Sequence, residues 1–178
     1  MRILLVPETG AGHGSAHIRR AVRLLREIPR SRILLPRDRA HLSELLAGVD
    51  SRRVVEEPGG EWDAVVVDRF SIGEGEAKAL TRLAPTIGID LGGEGRSYCD
   101  YLIDTLPRLD RAITNVSDPA LLDLPESAPL CAEPVSVPGR ILVTFGGEDP
   151  AHLTERTAEI LRRAGMLDEA LFVRPAMR

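Results

Sequence analysis

The chain has 178 residues, a formal net charge of −4, 43% hydrophobic and 28% charged residues, the balance of a globular protein holding one domain or one domain and part of another. Aromatic residues make up only 3%, too few for the stacking platforms of single-stranded nucleic-acid binders, and the negative balance gives no footprint for nucleic acid. Met1 to Val6 is an apolar run too short for a signal-peptide core or a membrane span, no later run reaches membrane length, and a cytoplasmic location is expected.

Ile3 to Val6 is continuously apolar and is closed by Pro7, the pattern of a strand buried on both faces. Three glycines and a proline make Pro7 to Gly14 a loop. Ile18, Ala21, Val22, Leu24, Leu25 and Ile28 then recur at helical spacing between arginines, and Ser15 suits the N-cap of that helix. Arg32 to Pro36 reads as a second strand, Arg39 to Val49 as a second helix and Arg53 to Val55 as a short third strand. Asp63 to Asp68 is a clearer strand, followed by a helix over Gly73 to Leu83. Thr86 to Asp90, Tyr101 to Asp104 and Arg111 to Asn115 complete the strands. Strands alternating with helices at this spacing predict an α/β protein with a parallel sheet.

Leu122 to Pro138 holds four prolines and little periodicity, so 122–138 is expected to be a linker after a first domain over 1–121. Gly139 to Gly147 reads as a buried strand running into a glycine turn, Leu153 to Ala164 as a helix and Ala170 to Val173 as one more strand. Residues 139–178 are thus expected to open a second, incomplete α/β domain.

Ligands of open α/β sheets bind beyond the carboxyl ends of the strands, where loops enter helices. Two loops fit. In the first, Gly12-His-Gly14-Ser-Ala-His17 fails as a dinucleotide fingerprint: histidine stands at the third position, and the second strand ends on Pro36 with no acidic residue. It also lacks the Gly-Lys-Ser/Thr of a phosphate-binding P-loop. What is left is a glycine loop at a helix start, where free N–H groups and the helix dipole favour an anion and disfavour an imidazolium, making His17 a candidate base. A tight turn beside a solvated histidine fits the same composition. His13, inside the loop, is the weaker candidate. The second loop, Thr144-Phe-Gly-Gly-Glu-Asp-Pro150, reads either as a phosphate loop or as a turn with a helix cap, and Glu148 and Asp149 would repel a phosphate they faced.

Asp68 and Asp90 each end a buried strand, so both should reach one rim as an acid/base pair, as ligands of substrate hydroxyls, or as turn caps. Asp100 and Asp104 read as structural. Cys99 and Cys131 have no metal-ligand spacing; two reduced thiols are expected, with one disulfide as the alternative. Four histidines and no carboxylate cluster call for no metal, and no cofactor is expected.

The order of motifs resembles one family. Gly14-Ser-Ala-His17-Ile-Arg-Arg20 is similar to its Gly-x-Gly-His-x-x-Arg opening, and Asp68-Arg-Phe70 occupies the place of its Asp-His-Tyr segment. Ile89-Asp90 with Cys99-Asp100-Tyr-Leu-Ile103 resembles its Asp turn and following strand, and Thr144 to Pro150 its Gly-Gly-Thr/Ser-Asp loop. The family contains the UDP-sugar hydrolase of pseudaminic acid biosynthesis and spore-coat polysaccharide proteins; the lipid-linked N-acetylglucosamine transferase of peptidoglycan synthesis is a more distant likeness. The resemblance spans roughly Met1 to Ala164. It implies a GT-B fold of two Rossmann-like domains, each a parallel sheet with helices on both faces.

The activity it implies is metal-independent cleavage of the anomeric C–O bond of a UDP-sugar, by a nucleotide-sugar hydrolase or glycosyltransferase-like protein. His17 and Asp68 then become the catalytic candidates. Gly12, His13, Gly14, Arg20, Phe70, Asp90, Gly146 and Gly147 become the substrate-binding ones. Ala16, Phe70 and Arg69 depart from the family's glycine, tyrosine and histidine. The family's second domain continues past the point matched by Arg178, so a further C-terminal domain or a partner chain is expected to complete the site. The alternative is a non-catalytic sugar-nucleotide-binding or partner-dependent module.

Overall fold

The computed structural model describes residues 1–10, 13, 15–105, 113–117, 141–145, 149 and 151–173. The chain divides into two compact units, one of Met1–Gly10 and Ala16–Asp123, the other of Ala11–Ser15 and Leu124–Arg178.

Seven strands build the first unit: β1 (Ile3–Pro7), β2 (Arg32–Leu34), β3 (Val54–Val55), β4 (Ala64–Asp68), β5 (Thr86–Ile89), β6 (Tyr101–Asp104) and β7 (Val116–Ser117). They form one sheet in the order β3-β2-β1-β4-β5-β6-β7, and every neighbouring pair is parallel. This is a Rossmann-like α/β fold, and its strand order reverses between β1 and β4. The central strands are apolar throughout because both of their faces are covered: all five residues of β1 are buried. The register aligns Pro7 with Asp68 and Asp68 with Ile89, so the ends of β1, β4 and β5 form one row.

Helix α1 (Ala16–Glu27) buries His17, Ile18, Ala21, Val22 and Leu25, a stripe at i, i+1, i+4, i+5 and i+8. Helix α2 (Glu74–Thr81) starts after Gly73, carries Glu74 and Glu76 in its first turn and Lys78 in its last, and so matches its dipole at both ends. Its buried Ala77 and Leu80 join Leu4, Val6, Val65 and Val67 in one core cluster. The crossover through α1 runs towards β2 and the one through α2 towards β5. Right-handed connections in opposite directions put the two helices on opposite faces of the sheet.

Three expected elements differ. Arg39 to Val49 is a 3-10 turn over Ala40–Leu42 continued by turns, held largely by i→i−3 bonds such as Ser43 N to Ala40 O. Leu42 is the one fully buried leucine there, so tertiary packing supplies too little to hold an α-helix, and Gly48 at φ 79° ends the segment. Arg53 belongs to the 3-10 turn Ser51–Arg53, leaving β3 only two valines. Among the described residues the last strand of the sheet is Val116–Ser117, and 113–115 of the expected strand lie before it; Arg111 and Ala112 lie outside the described residues. Asn115 instead bonds Leu102, its Oδ1 accepting from Leu102 N and its N donating to Leu102 O, and so clamps the start of the pairing.

The second unit holds β8 (Ile141–Val143), α3 (Leu153–Arg163) and β9 (Ala170–Phe172), with β8 and β9 parallel. Asp149 caps α3: its carboxylate accepts from Leu153 N at 2.8 Å and Thr154 N at 2.7 Å. Asp149 itself thus serves as a helix cap, and its carboxyl is held below its usual range first by the Thr154 side chain and then by the backbone N–H groups of Thr154 and Leu153. Residues 122–138, expected as a linker, lie outside the described residues, as do Gly146 and Gly147.

Candidate functional site

The residues that chemistry would need gather where the strand order reverses. His17 is the second residue of α1, which follows β1, and Asp68 is the last residue of β4. Their side chains meet at 2.6 Å between Nδ1 and Oδ1, and both residues are 4% exposed. A carboxylate only accepts, so Nδ1 carries the proton and, in the neutral ring, Nε2 carries the lone pair.

Arg20 lies one turn along α1 from His17 and on the same face. Its Nε stands 3.1 Å from Asp68 Oδ2 and its Nη1 3.1 Å from Asp90 Oδ2, so one guanidinium joins the two strand-end carboxylates. The Asp68 contact is one of charge without hydrogen-bond alignment, because Arg20 Nε and Asp68 Oδ2 are both buried and satisfy no hydrogen bond there. The Asp90 contact is a true hydrogen bond.

Asp90 follows β5 with φ at 51°, a left-handed backbone that costs a residue bearing a Cβ roughly 1–2 kcal/mol. Several bonds offset that cost. Its N donates to Ile103 O, Oδ1 accepts from Thr105 N at 2.6 Å, and Oδ2 accepts from Thr105 Oγ1 at 2.9 Å. The carboxylate is therefore aimed by its own strained backbone and by the residue after β6.

Phe70 packs edge-on against the His17 ring, centroids 4.6 Å apart at 80°, and is itself 55% exposed. Gly92 holds it there: Gly92 N donates to Phe70 O at 2.8 Å, and a Cβ on Gly92 would sit 2.7 Å from that oxygen. Only glycine permits so close an approach.

Of the sequence candidates, His17, Arg20, Asp68, Phe70 and Asp90 thus form one connected cluster. His13 is exposed, and Gly12 and Gly14 lie outside the described residues together with Gly146 and Gly147. Sequence reasoning missed Thr105, although its place directly after a strand of the same rim was the available signal. It also missed Glu8, whose Oε1 accepts from Thr9 N and Gly10 N, and His41, whose Nε2 donates to Thr9 O at 3.0 Å. These two shape the start of the first glycine loop.

Asp104 is structural: the Arg96 guanidinium grips its carboxylate with two bonds and also donates to Leu91 O and Ile113 O. Asp100 Oδ2 accepts from Thr86 N at 2.8 Å, also a structural use. Cys99 is a free, half-buried thiol whose burial raises its pKa, and Cys131 lies outside the described residues. Among the described residues no group of three or more His, Cys, Asp or Glu side chains could hold a metal ion. No helix among them is long and apolar enough to cross a membrane.

Comparison with protein-family models, curated proteins and solved structures finds no match for this chain.

Proposed function

We propose that the first unit carries the reacting centre of a nucleotide-sugar hydrolase or glycosyltransferase-like protein that cleaves the anomeric C–O bond of a UDP-sugar. The observation that carries this reading is the buried His17–Asp68 pair at the reversal of strand order, with Nδ1 committed to a carboxylate. In this reading Nε2 of His17 takes a proton from the attacking water or hydroxyl. That oxygen bonds the anomeric carbon, and the C–O bond to the diphosphate breaks with its electron pair leaving on UDP. Asp68 keeps the ring in one tautomer and offsets the imidazolium charge that forms. Arg20 holds Asp68 and Asp90 together without protonating either. The substrate class rests on the motif order and the chemistry on the pair.

A non-catalytic sugar-nucleotide-binding or partner-dependent module is the second reading, favoured by the near-complete burial of His17. One pair of measurements separates them. His17→Ala is expected to lower UDP release from UDP-N-acetylhexosamines at least about 100-fold while the variant stays folded. Unchanged turnover would remove His17 from the mechanism. Calorimetric binding of UDP with no product from the parent chain would establish the module.

A further inference from the structure

A second polar feature of the first unit lies at the opposite rim of the same sheet. A groove of about 640 Å³ opens at the amino ends of β1 to β4, a size within the usual range of small-molecule sites. Arg2 precedes β1, Arg30 and Arg32 flank the start of β2, Arg52 and Arg53 precede β3, and Trp62 stands just before β4; all six line the groove. Asp50 and Glu61 are the acidic residues of its lining, so a chain of net charge −4 concentrates a surplus of positive charge here.

The five arginines are not equivalent. Arg53 is structural: it donates to Ile28 O, Ser31 O and Ser31 Oγ, closing the carbonyl end of α1. Arg52 is paired with Asp50 at 2.7 Å and Arg2 with Glu61 at 3.1 Å. Arg30 and Arg32 are exposed and make no ion pair or side-chain hydrogen bond with any described residue. Two guanidinium forks thus stand without a partner among the described residues, beside three that are committed. Guanidinium groups present paired N–H donors that match phosphate oxygens two at a time. Trp62 adds a rigid wall, its indole N–H held by Pro58 O at 3.0 Å.

We propose that this groove is a binding site for a small soluble anion carrying adjacent phosphate groups, with Arg30 and Arg32 as the recognising residues. Two open forks require more than one negative charge, and a concave site walled by an indole suits a compact ligand. The site is independent of the reading given to His17, because the two clusters share no residue.

Trp62 is the single tryptophan of the chain, so its emission reports on this groove alone. The full chain is titrated with sodium pyrophosphate at fixed ionic strength, followed by calorimetry and by Trp62 fluorescence. Saturable binding is expected, with an affinity lowered at least tenfold in Arg30→Ala/Arg32→Ala and unchanged in His17→Ala. Arg30→Lys/Arg32→Lys keeps the charge without the forks and should fall between parent and double alanine variant. Circular dichroism verifies that these exposed substitutions leave the fold intact. The proposal is overturned by the absence of saturable binding, by equal affinity in the double alanine variant, or by loss of binding in His17→Ala instead.

Discussion

The two rims of the seven-stranded sheet handle charge in opposite ways. At the carboxyl rim His17, Arg20, Asp68 and Asp90 are drawn inward and answer one another, down to the Thr105 bonds that aim Asp90. At the amino rim Arg2, Arg30, Arg32 and Arg52 are exposed, and Arg30 and Arg32 pair with no described residue. Charge closed among buried partners sets geometry, because a carboxylate or imidazole out of water must stay where its partner is. Charge left open at a groove costs little in stability and is available to a ligand.

Three substitutions test that contrast, in falling order of effect. Asp68→Ala leaves Arg20 and His17 buried without their shared carboxylate and should destabilise the chain by about 3–5 kcal/mol in urea unfolding. A loss below about 1 kcal/mol would mean that the carboxyl-rim cluster is not a closed network. Gly92→Ala drives a Cβ against Phe70 O and should cost roughly 1–3 kcal/mol, with broadening of the Phe70 ring resonances as its contact with His17 loosens. A fully retained Phe70–His17 contact in that variant would sever the link between the glycine and the site.

Arg52→Ala, at the open rim, should lower the unfolding midpoint at neutral pH least of the three, because the Arg52–Asp50 pair it removes is exposed and screened by solvent. Its effect is on Asp50, whose carboxyl is lowered from 3.8 to about 2, first by the Arg52 side-chain bonds and then by the Arg52 backbone N–H. A carboxyl with a folded pKa below its unfolded one stabilises above the unfolded value, and that contribution is lost as pH falls towards about 2. Carbon-detected titration should therefore place the Asp50 midpoint near 2 in the parent and back towards 3.8 in Arg52→Ala. An unmoved midpoint would break the assignment.

Much of the first unit was legible in sequence because buried parallel strands are unbroken apolar runs. Ile3 to Val6 and the valines before Asp68 announce themselves, and the stripe from Ile18 to Leu25 announces α1. Arg39 to Val49 misled because its leucines keep helical spacing while only Leu42 finds a buried place, and spacing says nothing about what a stripe will meet. The site was legible in part for the same reason: a strand end or a helix start marks a rim position, so His17, Asp68 and Asp90 could be singled out, whereas Thr105 looked like any strand-end threonine.

The sequence by itself determined the central strands, α1 and α2, and which polar residues stand at their ends, since these follow from local periodicity and turn chemistry. Only the tertiary structure decided their neighbours. The order β2-β1-β4-β5 brings Asp68 and Asp90 to within one arginine of each other although they are separated along the chain by α2. It also lines up Arg2, Arg32 and Arg52 at the other rim from three separate stretches. Strand pairing is a long-range choice made by the burial of both sheet faces, and no local pattern encodes which side chains it will set beside one another.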